Sequence, residues 1–173
     1  MGSLGTTVRN DMLNLTSNER LEHLTVQATR LPRFKRHVAV NSKDVVFVSM
    51  LPAFRATGGL ATGDEVGAKL ERLQHDGMSK LARSVAAGEL ICFDWHHSIW
   101  LPMFQFDPQT LEMTAVVHQI FCELSGSMDG WEVTQWFARP HAALGNAMPI
   151  ERLDISPEAL LNAARLDRFI ARG

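Results

Sequence analysis

Cysteine is scarce in this chain: Cys92 and Cys122 are its only two among 173 residues. Two cysteines make no disulfide framework, and the expectation is a pair of reduced thiols in a cytoplasmic protein. Long apolar runs are missing as well. No stretch approaches the roughly 18 uninterrupted apolar residues of a membrane span, and Met1 to Asn18 lacks the apolar stretch of a secretory signal. Internal repeats and low-complexity tracts are absent. So are the nucleophile elbow, the phosphate-binding loop and the His-Glu-x-x-His helix, which points away from an enzyme. The run Gly58-Gly59-Leu60-Ala61-Thr62-Gly63 has no Lys-Ser/Thr pair behind it and reads as a linker. Metal chemistry has little support. His118 and Cys122 lie four apart, the spacing of two ligands on one helix face, and Cys92, His96 and His97 join them only if the fold brings all five together. No zinc-finger spacing is present, and neither a metal nor a cofactor is expected.

What is present is an ordinary globular composition, 46% hydrophobic and 21% charged, enough apolar surface to offset the entropy of ordering. The net charge of −2 is unevenly spread: residues 1–60 carry +4, residues 61–97 carry −2 and residues 98–173 carry −4. Arg30, Arg33, Lys35 and Arg36 cluster in the basic part. Such a cluster suits phosphate contact, and a solvated basic loop is the alternative.

Three segments follow from the punctuation. Residues 1–57 read as a helix from Ser17 to Thr29, ended by Pro32, and then two short β-branched strands over residues 37–50 around a turn at Asn41 to Asp44. Residues 58–107 begin with Thr62 and Glu65 at capping-box spacing, opening a helix with Val66, Leu70 and Leu73 on its apolar face. After a turn at His75-Asp76-Gly77, Ser79 is placed to cap a second short helix that stops at Gly88. Two aromatic-rich runs, residues 90–95 and 99–104, then read as a hairpin, with Asp94, His96, His97 and Ser98 as turn residues. Helix, turn, short helix and hairpin is the layout of a winged helix-turn-helix. Ser79, Lys80, Arg83 and Ser84 of the second helix would face DNA, helped by Arg33, Lys35 and Arg36. One Lys and one Arg are few for phosphate binding, so a homodimer is expected. The alternative is an adaptor or assembly subunit in which the same helices only pack.

Residues 108–173 read as a helical module. An amphipathic helix over 112–124 turns Val116, Val117, Ile120, Phe121 and Leu124 inward, and Asp129 caps a second helix ending before Pro140. Ser156-Pro157-Glu158 starts a last helix whose Leu160, Leu161, Ala164, Leu166, Phe169 and Ile170 are expected to face the core. Arg165, Arg168 and Arg172 form one basic stripe along it. Trp131 and Trp136, five apart, cannot share a face, so one is expected in the core and the other at the surface.

The run Trp136-Phe137-x-x-Pro140-His141-x-x-Leu144-Gly145-x-x-x-Pro149-Ile150-x-x-Leu153, followed by a helix ending Arg168-Phe169-Ile170-Ala171-Arg172-Gly173, resembles the C-terminal toxin-binding domain of the Xre/MbcA/ParS antitoxin family. The resemblance covers about residues 115–173; His141 stands where the family has Asn, and Gly145-Asn146 where it has a glycine pair. It implies a cytoplasmic bacterial antitoxin that neutralises a cognate toxin, often of the NAD-consuming RES type, and regulates its own operon. It also implies a partner surface built from Trp136, Pro140, His141, Leu144, Gly145, Pro149, Leu153, Arg165, Arg168, Arg172 and Gly173. The expected fold is mainly α with small β hairpins, an α+β chain.

Overall fold

The computed structural model describes residues 42–173. The expected helix from Ser17 to Thr29, the basic residues Arg33, Lys35 and Arg36, and the first arm of the expected hairpin lie outside the described residues.

The second arm of that hairpin is not a strand. Ser42–Phe54 is a helix, α1. Its Val45-Val46-Phe47-Val48 run has the composition of a strand, but Phe47, Met50 and Phe54 fall at helical spacing and are all buried. Tertiary packing overrides local β preference here. The Phe47 ring stacks on Trp95 with centroids 3.7 Å apart and meets Phe93 and Trp100 edge-on, while Phe54 stacks on Phe104 at 5.4 Å. A short 3-10 turn, Arg55–Thr57, then gives way to Gly58 and Gly59, both at positive φ (90° and 77°), a reversal open to glycine at little cost.

That reversal feeds strand β1, Leu60–Thr62, where the sequence suggested only a linker. The helices α2, Gly63–Leu73, and α3, Gly77–Ala86, follow. The capping box of α2 is present: Glu65 N–H donates to the Thr62 hydroxyl at 3.3 Å, and the Glu65 carboxylate accepts from Thr62 N–H at 2.7 Å. The Thr62 N–H, and after it the Thr62 hydroxyl, donate to the exposed Glu65 carboxylate and hold it below its ordinary pKa. Helix α3 starts two residues before Ser79. Asp76, at φ 63°, occupies its cap position without a side-chain bond, so Ser79 lies inside the first turn and does not cap. Gly88, at φ 68°, ends the helix as its position suggested.

The hairpin consists of β2, Phe93–Trp95, and β3, Ser98–Pro102, with Phe93 opposite Trp100 and Trp95 opposite Ser98. Strand β1 adds antiparallel to the other edge of β3, Thr62 opposite Trp100, giving the order β1-β3-β2. After a 3-10 turn, Met103–Gln105, come α4, Ala115–Leu124, and α5, Gly130–Ala138. Two more 3-10 turns, Ala142–Leu144 and Pro149–Arg152, lead to α6, Pro157–Arg172. The described chain is therefore mainly helical with one small antiparallel sheet.

Two apolar clusters hold it. The larger joins Met50 and Phe54 of α1, Ile91 and Phe104 to the inner faces of α4, α5 and α6. The smaller packs Val66 and Leu70 of α2 and Leu81 of α3 on Leu101, Phe106 and Leu111. Buried Gln105 lies between the chain segments that meet here. Its side-chain oxygen accepts from Ile91 N–H at 2.9 Å, and its amide nitrogen donates to the carbonyls of Ile91 and Pro102 at 2.9 and 3.0 Å. At Gly130 a Cβ would lie 1.8 Å from the Cys92 carbonyl oxygen, so α5 begins in direct contact with the foot of the hairpin.

Candidate functional site

Helix α3 is anchored on one side and open on the other. Gly77 and Leu81 are buried, Ser79, Lys80 and Arg83 are exposed, and Ser84 is half-buried. The helical period alone places Lys80 and Arg83, three apart, on the same outer face. Their freedom differs. Lys80 Nζ lies 3.6 Å from Glu112 Oε1, an exposed pair of small energetic weight. Arg83 makes no ion pair among the described residues.

At the hairpin tip, His96 and His97 both take positive φ, 49° and 61°. Neighbouring residues of this kind make the tight two-residue reversal that matches strand twist, a conformation that asparagine and glycine adopt more readily. Asp44 of α1 supports the tip: its Oδ1 accepts from Trp95 Nε1 at 3.1 Å and lies 3.2 Å from His96 Nε2. Burial, reinforced by the charge of Asp94, raises the pKa of the Cys92 thiol. The exposed Cys122 Sγ lies 3.8 Å from His118 Nε2 across one turn of α4. No group of three or more potential metal ligands occurs among the described residues.

In the C-terminal part, the residues singled out from the sequence divide into those that hold the fold and those that remain accessible. Trp136 is buried, and its indole N–H donates to Asp167 Oδ2 at 2.7 Å. His141 Nε2 lies 2.9 Å from the same oxygen, and His141 Nδ1 accepts from Ala143 N–H at 3.2 Å. The second bond requires a bare Nδ1, so the proton sits on Nε2 and points at Asp167. This clasp ties the loop after α5 to α6. Leu144, Pro149 and half-buried Leu153 fill the space beneath it, and Gly145 at φ 66° closes the 3-10 turn. Trp131 is half-buried, edge-on to Phe93 at 5.0 Å, with Lys43 Nζ 5.0 Å above its ring.

The basic stripe on α6 is partly consumed. Arg165 Nε binds Glu123 Oε1 at 3.1 Å, and Arg168 pairs with the other oxygen of the same carboxylate. Pro140, Arg172 and Gly173 remain exposed.

Comparison with protein-family models, curated proteins and solved structures gives no match.

The largest departure from the sequence expectation lies on α6. Leu166, Phe169 and Ile170 were expected inside, and they are 45%, 78% and 65% exposed. The signal was present in the spacing. Starting from buried Leu160, the helical period leads through Ala163 and Ala164 to Asp167, the residue that holds Trp136, and it puts Phe169 on the opposite face. On α6 the accessible large apolar side chains are therefore this triplet, whereas Trp136 of the tryptophan motif is buried.

Proposed function

We propose that the protein is a DNA-binding transcriptional regulator whose last helix docks a partner protein, working in the cytoplasm as a homodimer in the manner of a type II antitoxin. On this reading β1, α2, α3 and the hairpin form a winged helix-turn-helix. The observation that carries it is the outward face of α3, where Ser79, Lys80 and Arg83 are exposed on a helix anchored by Leu81. A short helix held on one side, carrying cations on the other and followed by a hairpin suits entry into a major groove. The partner is a toxin, in keeping with the resemblance to the Xre/MbcA/ParS antitoxins. Its contact is the uncovered Leu166, Phe169 and Ile170, bordered by Arg172 and Gly173, an apolar patch with a charged edge of the kind that marks protein interfaces.

The experiment is a gel shift of the full chain on duplex DNA from its own promoter region across a salt series. Specific binding should weaken steeply with salt, and Arg83→Ala should reduce the slope of log affinity against log salt by about 0.9 for each phosphate contact removed. Binding that is indifferent to salt and to Arg83→Ala would remove DNA from the proposal. The Lys80–Glu112 pair favours a second reading, an adaptor that assembles without nucleic acid, and that reading predicts the indifferent result.

A further inference from the structure

A groove of about 1010 Å³ runs along the seam between the two apolar clusters. One wall is α2, the other is α4 with the segment after the turn Pro149–Arg152, and Phe104 and Phe106 line it between them. Its volume is at the upper end of the roughly 300–1,000 Å³ usual for small-molecule sites. Leu60, Val66, Leu111 and Val117 make the lining apolar, and Ala56, Ala61 and Ala68 keep it wide by their small side chains.

The charges on its rim are asymmetric in availability. Lys69 and Arg72 lie three apart on α2, so they share a face, and neither makes an ion pair among the described residues. Arg72 spends only Nε, on the Ala68 carbonyl at 3.1 Å, which leaves the outer guanidinium nitrogens available. Of the two carboxylates on the rim, Glu65 is engaged by the Thr62 N–H and hydroxyl, and Asp154 belongs to the opposite wall. An apolar trough with two uncommitted cations along one edge complements a molecule that is apolar along its body and anionic at one end.

We propose that this groove binds a small amphipathic carboxylate, its hydrocarbon portion along Val66, Phe104 and Val117 and its carboxylate at Lys69 and Arg72. Such a ligand touches α2 and α4 together, so occupancy braces the helix pair against the C-terminal helices. The site goes beyond the regulator reading and does not depend on DNA binding.

The test is calorimetric titration of the full chain with decanoate and, separately, with decyltrimethylammonium. Decanoate should bind saturably with one-to-one stoichiometry, and the cation of equal chain length at least about tenfold more weakly, as expected when charge-assisted contacts are lost. The double variant Lys69→Gln, Arg72→Gln should lose a similar factor. Ala68→Trp, at an exposed position of α2, should abolish binding while thermal unfolding stays near that of the parent. Saturable binding of both amphiphiles with equal affinity, or decanoate binding unchanged in the double variant, overturns the assignment of an anion. Absence of saturable decanoate binding overturns the site. If decanoate does not bind and Ala68→Trp instead splits a homodimer, the groove belongs to a second copy of the chain and the proposal fails.

Discussion

Replacing Gln105 by methionine tests whether one polar side chain joins the two halves of the core. Gln105 is fully buried, and its amide group satisfies one N–H and two carbonyls at 2.9 to 3.0 Å. Methionine nearly matches its length and volume, so the packing changes little and the three main-chain groups lose their partner. Each orphaned buried group costs about 1–3 kcal/mol, the carbonyls toward the lower end because each has a second lone pair. That sums to roughly 4 kcal/mol, offset by about 1 kcal/mol from burying a more apolar side chain. The expected loss is about 3 kcal/mol, a large part of the roughly 5–15 kcal/mol that holds a typical domain. At about 2–4 °C per kcal/mol for a chain of this size, the melting temperature should fall by about 6–12 °C. Urea titration followed by tryptophan fluorescence should show a lower midpoint with an unchanged slope, because the surface exposed on unfolding is the same. A fall of less than about 3 °C would refute the reasoning, since it would mean that water or a shifted main chain replaces the lost bonds at little cost.

Two further outcomes follow from hydrogen bonds already described. Asp167→Ala leaves the buried Trp136 N–H and the His141 Nε2–H without an acceptor, so it should destabilise the chain by about 2 kcal/mol, read as a lower urea midpoint; an unchanged midpoint removes the clasp from the fold. Glu65→Gln keeps an acceptor for the capping box but removes the negative charge from the helix N-terminus, and should cost about 0.3–1 kcal/mol at neutral pH. Its pH dependence has a definite sign: the folded pKa lies below the ordinary 4.5, so the wild-type contribution is present above that value and fades as pH falls below it. The stability difference between wild type and variant, measured by thermal melts across that range, should therefore shrink toward acid; a difference that grows there counts against the cap.

Local chemistry made two helix starts legible. Thr62 with Glu65 and Asp129 at the start of α5 both cap as their spacing implies, and the latter proves to be a full box with Glu132. The hairpin was readable from two aromatic runs around a polar break. What escaped depended on distant partners. Nothing near Leu60 announces a strand, because three residues suffice only when Trp100 to Pro102 arrive some forty positions later to pair with them. The valine run of α1 reads as a strand, and what fixes it as a helix is Phe47 within it, whose ring packs on Trp95 and Phe93. At the candidate sites, the outward positions of Lys80 and Arg83 follow from the helical period, but Glu112 beside Lys80 does not. Likewise the basic stripe of α6 was visible and the carboxylate of Glu123 that engages two of its three arginines was not, since 42 positions separate Arg165 from its partner.

The larger apolar cluster imposes a condition on anyone dissecting this chain. Phe137 and Trp136 rest in it beside Met50, Phe54, Ile91 and Phe104, so a fragment beginning at residue 108 would keep the tryptophan motif and lose the floor on which it stands. Its apolar underside would then lie open to water, and such a fragment would adhere to many surfaces without discriminating among them. Any recognition by the tail is a property of the assembled molecule, with the earlier helices acting as its foundation.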